Sequence, residues 1–204
     1  RFTCEDSREI MLRCPAEAYA FLYSDVVTME SVSVYLKEVL ATHLPENVDN
    51  ITLKLRTEVI ESPFYHYTHG LKKHDGNCQR IAHGHRSRID IYLDGKISEQ
   101  EQAYWANRWD NIYIATTEDE IAYEDRKITG SVATPSDYFS FAYESSQGYF
   151  ELLIPKADCE VITTDSTVEC LAQYLLVEQK KRTPNNHCQV VAYEGVGKGA
   201  MVSD

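Results

Sequence analysis

The sequence has no C-x-x-C pair and no dense disulfide framework, although it holds six cysteines: Cys4, Cys14, Cys78, Cys159, Cys170 and Cys188. That argues against a disulfide-stapled scaffold and leaves reduced thiols as the expectation. Most of the six sit in apolar contexts, where cysteine behaves as a small core residue. Cys78, in a polar G-N-C setting, is the exception. Positive charge is also scarce, with 20 Lys and Arg against 32 Asp and Glu and a formal charge of −12. A nucleic-acid binder needs a basic face, and only Lys180 to Arg182 and the stretch Arg80 to Arg88 offer a local one, so nucleic acid is not an expected partner. A small basic pocket could still hold a phosphorylated substrate. Long apolar runs are missing too, and the first residues alternate charge and apolarity instead of forming a signal h-region. A cytoplasmic location with no membrane partner is the expectation. The chain opens on Arg1 rather than Met, which is compatible with the removal or cleavage of residues upstream.

What is present is ordinary in bulk: 43% hydrophobic and 25% charged over 204 residues, enough for one large domain or two small ones. The chain carries two copies of one supersecondary unit. The first reads FTCEDSREIMLRCPAEA, TMESVSVYLKEVL and ITLKLRTEV; the second reads FAYESSQGYFELLIPKAD, STVECLAQYLLVEQ and CQVVAYEGV. Thr28, Glu30, Tyr35 and Leu36 align with Thr167, Glu169, Tyr174 and Leu175; Pro15 aligns with Pro155 and Glu58 with Glu194. The turn-like EDS and SSQG precede second strands of hairpins, Arg8 to Arg13 and Tyr149 to Ile154, each ended by proline. Thr28 and Thr167 are placed to cap helices that stop at Leu44-Pro45 and Thr183-Pro184. Ile51, Leu53 and Leu55 alternate with polar residues, which predicts a one-sided strand, and Val190 to Tyr193 form its counterpart. Between the copies lie a strand over about 83–93, a helix from Ser98 to Trp109 with a capping-box start, and an acidic loop over 116–125. Strands and helices in this arrangement give an α+β class.

The informative stretch is FYHYTHGLKKHDGNCQRIAHGHRSRIDIYLDG, residues 64–95, which holds His66, His69, His74, His83 and His85. His83 and His85 are two apart on a strand, so both side chains leave one face. Gly84 between them permits close approach of a ligand or another backbone. Two imidazoles side by side at a core edge suit zinc, and three histidine ligands with an open fourth position suit a catalytic centre. For H-x-H alone, a hydrogen-bonded surface pair is the competing explanation. A third ligand would come from the preceding strand, where His66 and His69 lie on opposite faces. His69 is nearer the loop; His66 and His74 are the alternatives.

His69-Gly70-Leu71, then Cys78, then His83-Gly84-His85, then S-T-V-E-C-L-A-Q-Y-L over 166–175 and A-Y-E-G over 192–195 form an ordered set. That set resembles the 6-pyruvoyl-tetrahydropterin and 6-carboxytetrahydropterin synthase family, from about residue 60 onward. The resemblance implies a tunnelling fold, or T-fold: an antiparallel four-stranded sheet with helices on one face. Two tandem units follow, an incomplete half-unit over 1–60 and a unit with the zinc site over 61–204. It implies a homo-oligomer with sites between T-fold units. It also implies a lyase that acts on 7,8-dihydroneopterin triphosphate, in queuosine biosynthesis for the 6-carboxy branch. Zinc would be held by His69, His83 and His85, with Cys78 as the base. Glu194, its repeat mate Glu58, and Thr167 would bind a pterin or purine-derived substrate.

The sequence departs from that pattern in three places. Four residues rather than three separate Cys78 from His83, and Arg86-Ser87 follows His85 where the family has an Asn-aromatic pair. The family's Asp-His dipeptide is also absent, with no histidine between Gly148 and Thr167. An upstream half-unit could supply it, His74 could replace it, or the reaction could be lost while zinc and pterin binding remain. A hydrolase using the same three histidines is a further reading.

Overall fold

Threonine caps and apolar alternation organise this chain much as the sequence implies. The computed structural model describes residues 1–4 and 6–204; Glu5, in the EDS turn, lies outside the described residues. In chain order the elements begin with β1 (Phe2–Thr3), β2 (Glu9–Arg13), α1 (Met29–Ala41), β3 (Tyr65–His69), β4 (His83–Ser87), β5 (Ile89–Leu93), β6 (Lys96–Ile97) and α2 (Glu99–Arg108). They continue with β7 (Ile112–Thr116), β8 (Glu120–Ile121), β9 (Tyr138–Ser145), β10 (Gly148–Pro155), β11 (Cys159–Ile162), α3 (Val168–Arg182), β12 (Cys188–Tyr193) and β13 (Gly199–Ser203). Thr28, Ser98 and Thr167 are the N-caps of the three helices, each accepting a backbone N–H of the first turn.

The class is α+β, with three sheets among the described residues. The order β13-β12-β5-β6 is antiparallel throughout, and α3 packs on this sheet. Leu171, Leu175 and Leu176 of α3 meet Ile91, Cys188 and Val190 from the strands, with Trp105 and Trp109 completing the core. A second sheet runs β11-β7-β3-β4, in which β3 and β4 are antiparallel while β7 and β11 join in parallel. The third sheet runs β1-β2-β10-β9-β8.

Three expectations change on inspection. The single strand over 83–93 breaks at Arg88, so β4 and β5 enter different sheets. Arg88 spends its guanidinium on Asp90 and Glu61 at 3.0 and 3.1 Å. The strand expected at Ile51 to Leu55 does not form. Its alternation survives as burial, with Ile51, Leu53 and Leu55 half-buried and Thr52, Lys54 and Arg56 exposed. A strand needs a neighbour to take its N–H and C=O groups, and among the described residues none pairs with it. The acidic loop over 116–125 instead contains β8 and short 3-10 turns.

Residues 1–16 and 60–204 form one compact unit and residues 17–59 another. The first hairpin belongs with the larger unit, because β2 pairs antiparallel with β10 at Met11↔Leu153. Among the described residues, no helix is long and apolar enough to cross a membrane.

Candidate metal centre

The β3–β4 ladder places His69 directly opposite His83 and Tyr67 directly opposite His85. Because strand side chains alternate faces, these four rings form one patch, and His66 is left on the other face. There His66 is exposed and accepts from Arg86 Nε at 3.1 Å. Ring centroids in the patch are 4.3 Å apart for His69 and His83, 5.0 Å for His83 and His85, and 5.1 Å for His69 and His85. One donor atom from each of the three lies within 4.8 Å of the others. That is looser than the ~3.3 Å a tetrahedral zinc imposes on its nitrogen ligands.

The surroundings leave Nε2 of each ring without a hydrogen-bond partner. His69 Nδ1 is 2.8 Å from Ser166 Oγ, and His83 Nδ1 donates to the Arg80 carbonyl at 3.2 Å. The Nε2 atoms of His69, His83 and His85 are all buried without a hydrogen-bond partner. Buried polar atoms are rarely left so, and here they belong to three neighbouring rings. Burial holds the His69 imidazole down to about 2, with His83 and His85 adding to the effect. Burial also lowers His83 and His85, in the latter case helped by His83. All three rings are therefore neutral near pH 7, with lone pairs free. Three orphaned, neutral imidazole nitrogens are the donor set that zinc takes in catalytic centres, so the residues fit the ion. Among the described residues this is the one such group of metal-ligating side chains.

Glu194 joins the patch through sheet register. Ala192 pairs with Ile89, so continuing antiparallel past the end of β12 carries Glu194 beside Ser87, two residues from His85 on the same face. Its Oε1 is 3.7 Å from His85 Nε2, and its Oε2 accepts from Lys198 at 2.8 Å. Cys78 sits in a 3-10 turn, Gly76–Gln79, just before β4. The Lys198 ammonium is raised, chiefly by its hydrogen bond with Glu194 and more weakly by Cys78. Thr167 uses its hydroxyl to accept Cys170 N at 3.4 Å as the α3 cap, which leaves its O–H free to donate. Glu58 belongs to the 17–59 unit and is exposed there. Sequence reasoning missed Ser166 and Tyr67; Tyr67 stacks on His85 with centroids 5.2 Å apart.

A family model described as 6-pyruvoyl tetrahydropterin synthase matches residues 58–203. No curated protein matches the sequence significantly. Among solved structures, a catalytic-residue mutant of Plasmodium vivax 6-pyruvoyltetrahydropterin synthase is 18% identical, covering 71% of this chain and 94% of its own, with TM-score 0.47. The Plasmodium falciparum 6-pyruvoyl tetrahydropterin synthase is 15% identical over the same shares, with TM-score 0.48.

Proposed function

This chain belongs to the 6-pyruvoyl tetrahydropterin synthase family, and from that premise we propose that it is a zinc-dependent, pterin synthase-like lyase. Its substrate in this reading is 7,8-dihydroneopterin triphosphate. The 6-carboxytetrahydropterin reaction of queuosine biosynthesis is preferred over the 6-pyruvoyl one, by analogy of class. The observation that carries the proposal is that His69, His83 and His85 each bring a ring nitrogen within 4.8 Å of the others while each keeps a buried Nε2 without a hydrogen-bond partner.

Zinc held there supplies Lewis-acid polarisation of substrate side-chain oxygens, which acidifies the adjacent C–H. Cys78 accepts that proton as the base. Glu194 presents a carboxylate that accepts from the pterin amino group and ring N–H, a donor pair it matches in geometry. Glu194 takes this role ahead of its repeat mate Glu58 because it lies 3.7 Å from His85. Thr167 offers its hydroxyl to the same ligand. Assembly of several copies in the cytoplasm belongs to this reading.

A second reading, a non-catalytic protein that binds zinc and a pterin, is favoured by the absence of histidine between Gly148 and Thr167. Purified protein should carry stoichiometric zinc, and His83→Ala should lose it. Cys78→Ser should keep zinc but turn over substrate about 10²- to 10⁴-fold more slowly. A protein without divalent metal, or unchanged metal in His83→Ala, sinks the centre. Zinc with no turnover in the unmutated protein leaves the second reading.

A further inference from the structure

The turn that carries Cys78 has few restraints of its own. Asp75 occupies its N-cap position but makes no side-chain cap bond. Within the loop, Leu71 N donates to the Cys78 carbonyl at 2.8 Å and Arg80 N to the Asn77 carbonyl at 3.0 Å. The remaining restraints come from the far end of the β9–β10 hairpin, some 70 residues later in the chain. Tyr143 Oη donates to the Gln79 carbonyl at 2.7 Å in a buried bond. Ser146 Oγ donates to Gln79 Oε1 at 2.9 Å, and Gln147 Nε2 donates to the Gly76 carbonyl. Both ends of the four-residue turn are thus tied to one hairpin, while Cys78 between them makes no side-chain bond to it.

Gly70 is part of the same arrangement. A Cβ there would collide with Tyr143 Oη and come within 2.7 Å of Ile81 Cα. Backbone atoms cannot yield as a flexible side-chain end can, so any larger residue would push Tyr143 off the Gln79 carbonyl. Gln79 is itself buried, and an amide buried without its partners is costly. The hairpin therefore does more than close the third sheet.

We propose that Tyr143, with Ser146 and Gln147, is a positioning element that sets the Gly76–Gln79 turn and so the placement of the Cys78 thiol relative to the histidine patch. The inference rests on the reading of Cys78 as the base. Its physical content is local: the hairpin supplies the turn with the hydrogen bonds its own sequence lacks, and a displacement of about 1 Å at a reacting group can cost on the order of 100-fold in rate.

Tyr143→Phe removes one hydroxyl and little volume. Expected are a fall in kcat of about 10-fold or more with KM and zinc content unchanged, and a several-fold change in the rate at which iodoacetamide alkylates Cys78. Alkylation is followed by peptide mass spectrometry, with Cys4 as the reference thiol in the same chain. Gln147→Ala, at the exposed end of the clamp, gives the same direction with smaller size and keeps the test alive should Tyr143→Phe fold poorly. Wild-type Cys78 alkylation rates in both folded variants overturn the proposal. If Cys78→Ser retains full turnover, the base assignment falls instead, while the alkylation rates still report on the clamp.

Discussion

Ser166 lies 97 positions from His69 in sequence, yet its hydroxyl meets the imidazole Nδ1 at 2.8 Å inside the core. A hydroxyl can donate or accept, and in the tautomer where Ser166 accepts Nδ1–H, Nε2 is left as the lone-pair atom, the second-layer role that metal-bound histidines usually have filled. Ser166→Ala should therefore weaken zinc by about 10- to 100-fold in a chelator competition while leaving the fold intact. Unchanged affinity would mean that His69 does not depend on this bond. Much of the residue-level pattern was legible. Period-two alternation put His83 and His85 on one face, and it separated His69 from His66, which the ladder then settled by pairing His69 with His83. Ser166 was not legible, because the contact is made by tertiary packing of the α3 start against β3. The available signal was a second hydroxyl residue directly before the Thr167 cap.

Between elements, α2 and α3 are joined by a small polar network rather than by apolar packing alone. Glu101 accepts from Arg182 Nε at 2.8 Å and from Gln179 Nε2 at 3.0 Å, and Gln179 Oε1 accepts Trp105 Nε1 at 2.7 Å. Burial pushes the Glu101 carboxyl up, but Arg182 and Gln179 outweigh it and hold the group below its ordinary value. A depressed carboxyl contributes stability above its unfolded pKa and loses it as pH falls through the folded value. Glu101→Gln should then cost about 1–3 kcal/mol near pH 7 in urea unfolding, with the gap to wild type closing below about pH 4.5. A gap that stays constant with pH would rule the ion pair out as its source. Element identity was readable for the capped helices and the hairpins. The strand expected at Ile51 to Leu55 failed for a reason alternation cannot encode, since pairing requires a neighbour. The parallel additions β7 and β11 were missed because IYIAT and CEVI are too short to announce themselves.

Across the molecule, stability is distributed unevenly. No residue of α1 is buried, whereas α3 buries Val168, Leu171, Ala172, Leu175, Leu176 and Gln179. Amides of α3 should exchange with deuterium on the order of 100-fold more slowly than those of α1. Equal protection would show that the α1 face is covered in solution. The repeat predicts a hairpin and a capped helix in each copy, and both form. Similar sequence did not confer similar packing: α3 lies on a sheet, whereas no residue of α1 is buried. The interruption at Arg88 has a wider effect. β4 runs into β5 after a single residue, and β5 pairs with β12, which ends just before Glu194, so strand pairing sets the register of His83 and His85 against the carboxylate. Under the function proposed above, a ligand that met the imidazoles at one end and the carboxylate at the other would be selected by its length, and a longer or shorter analogue would forfeit one contact.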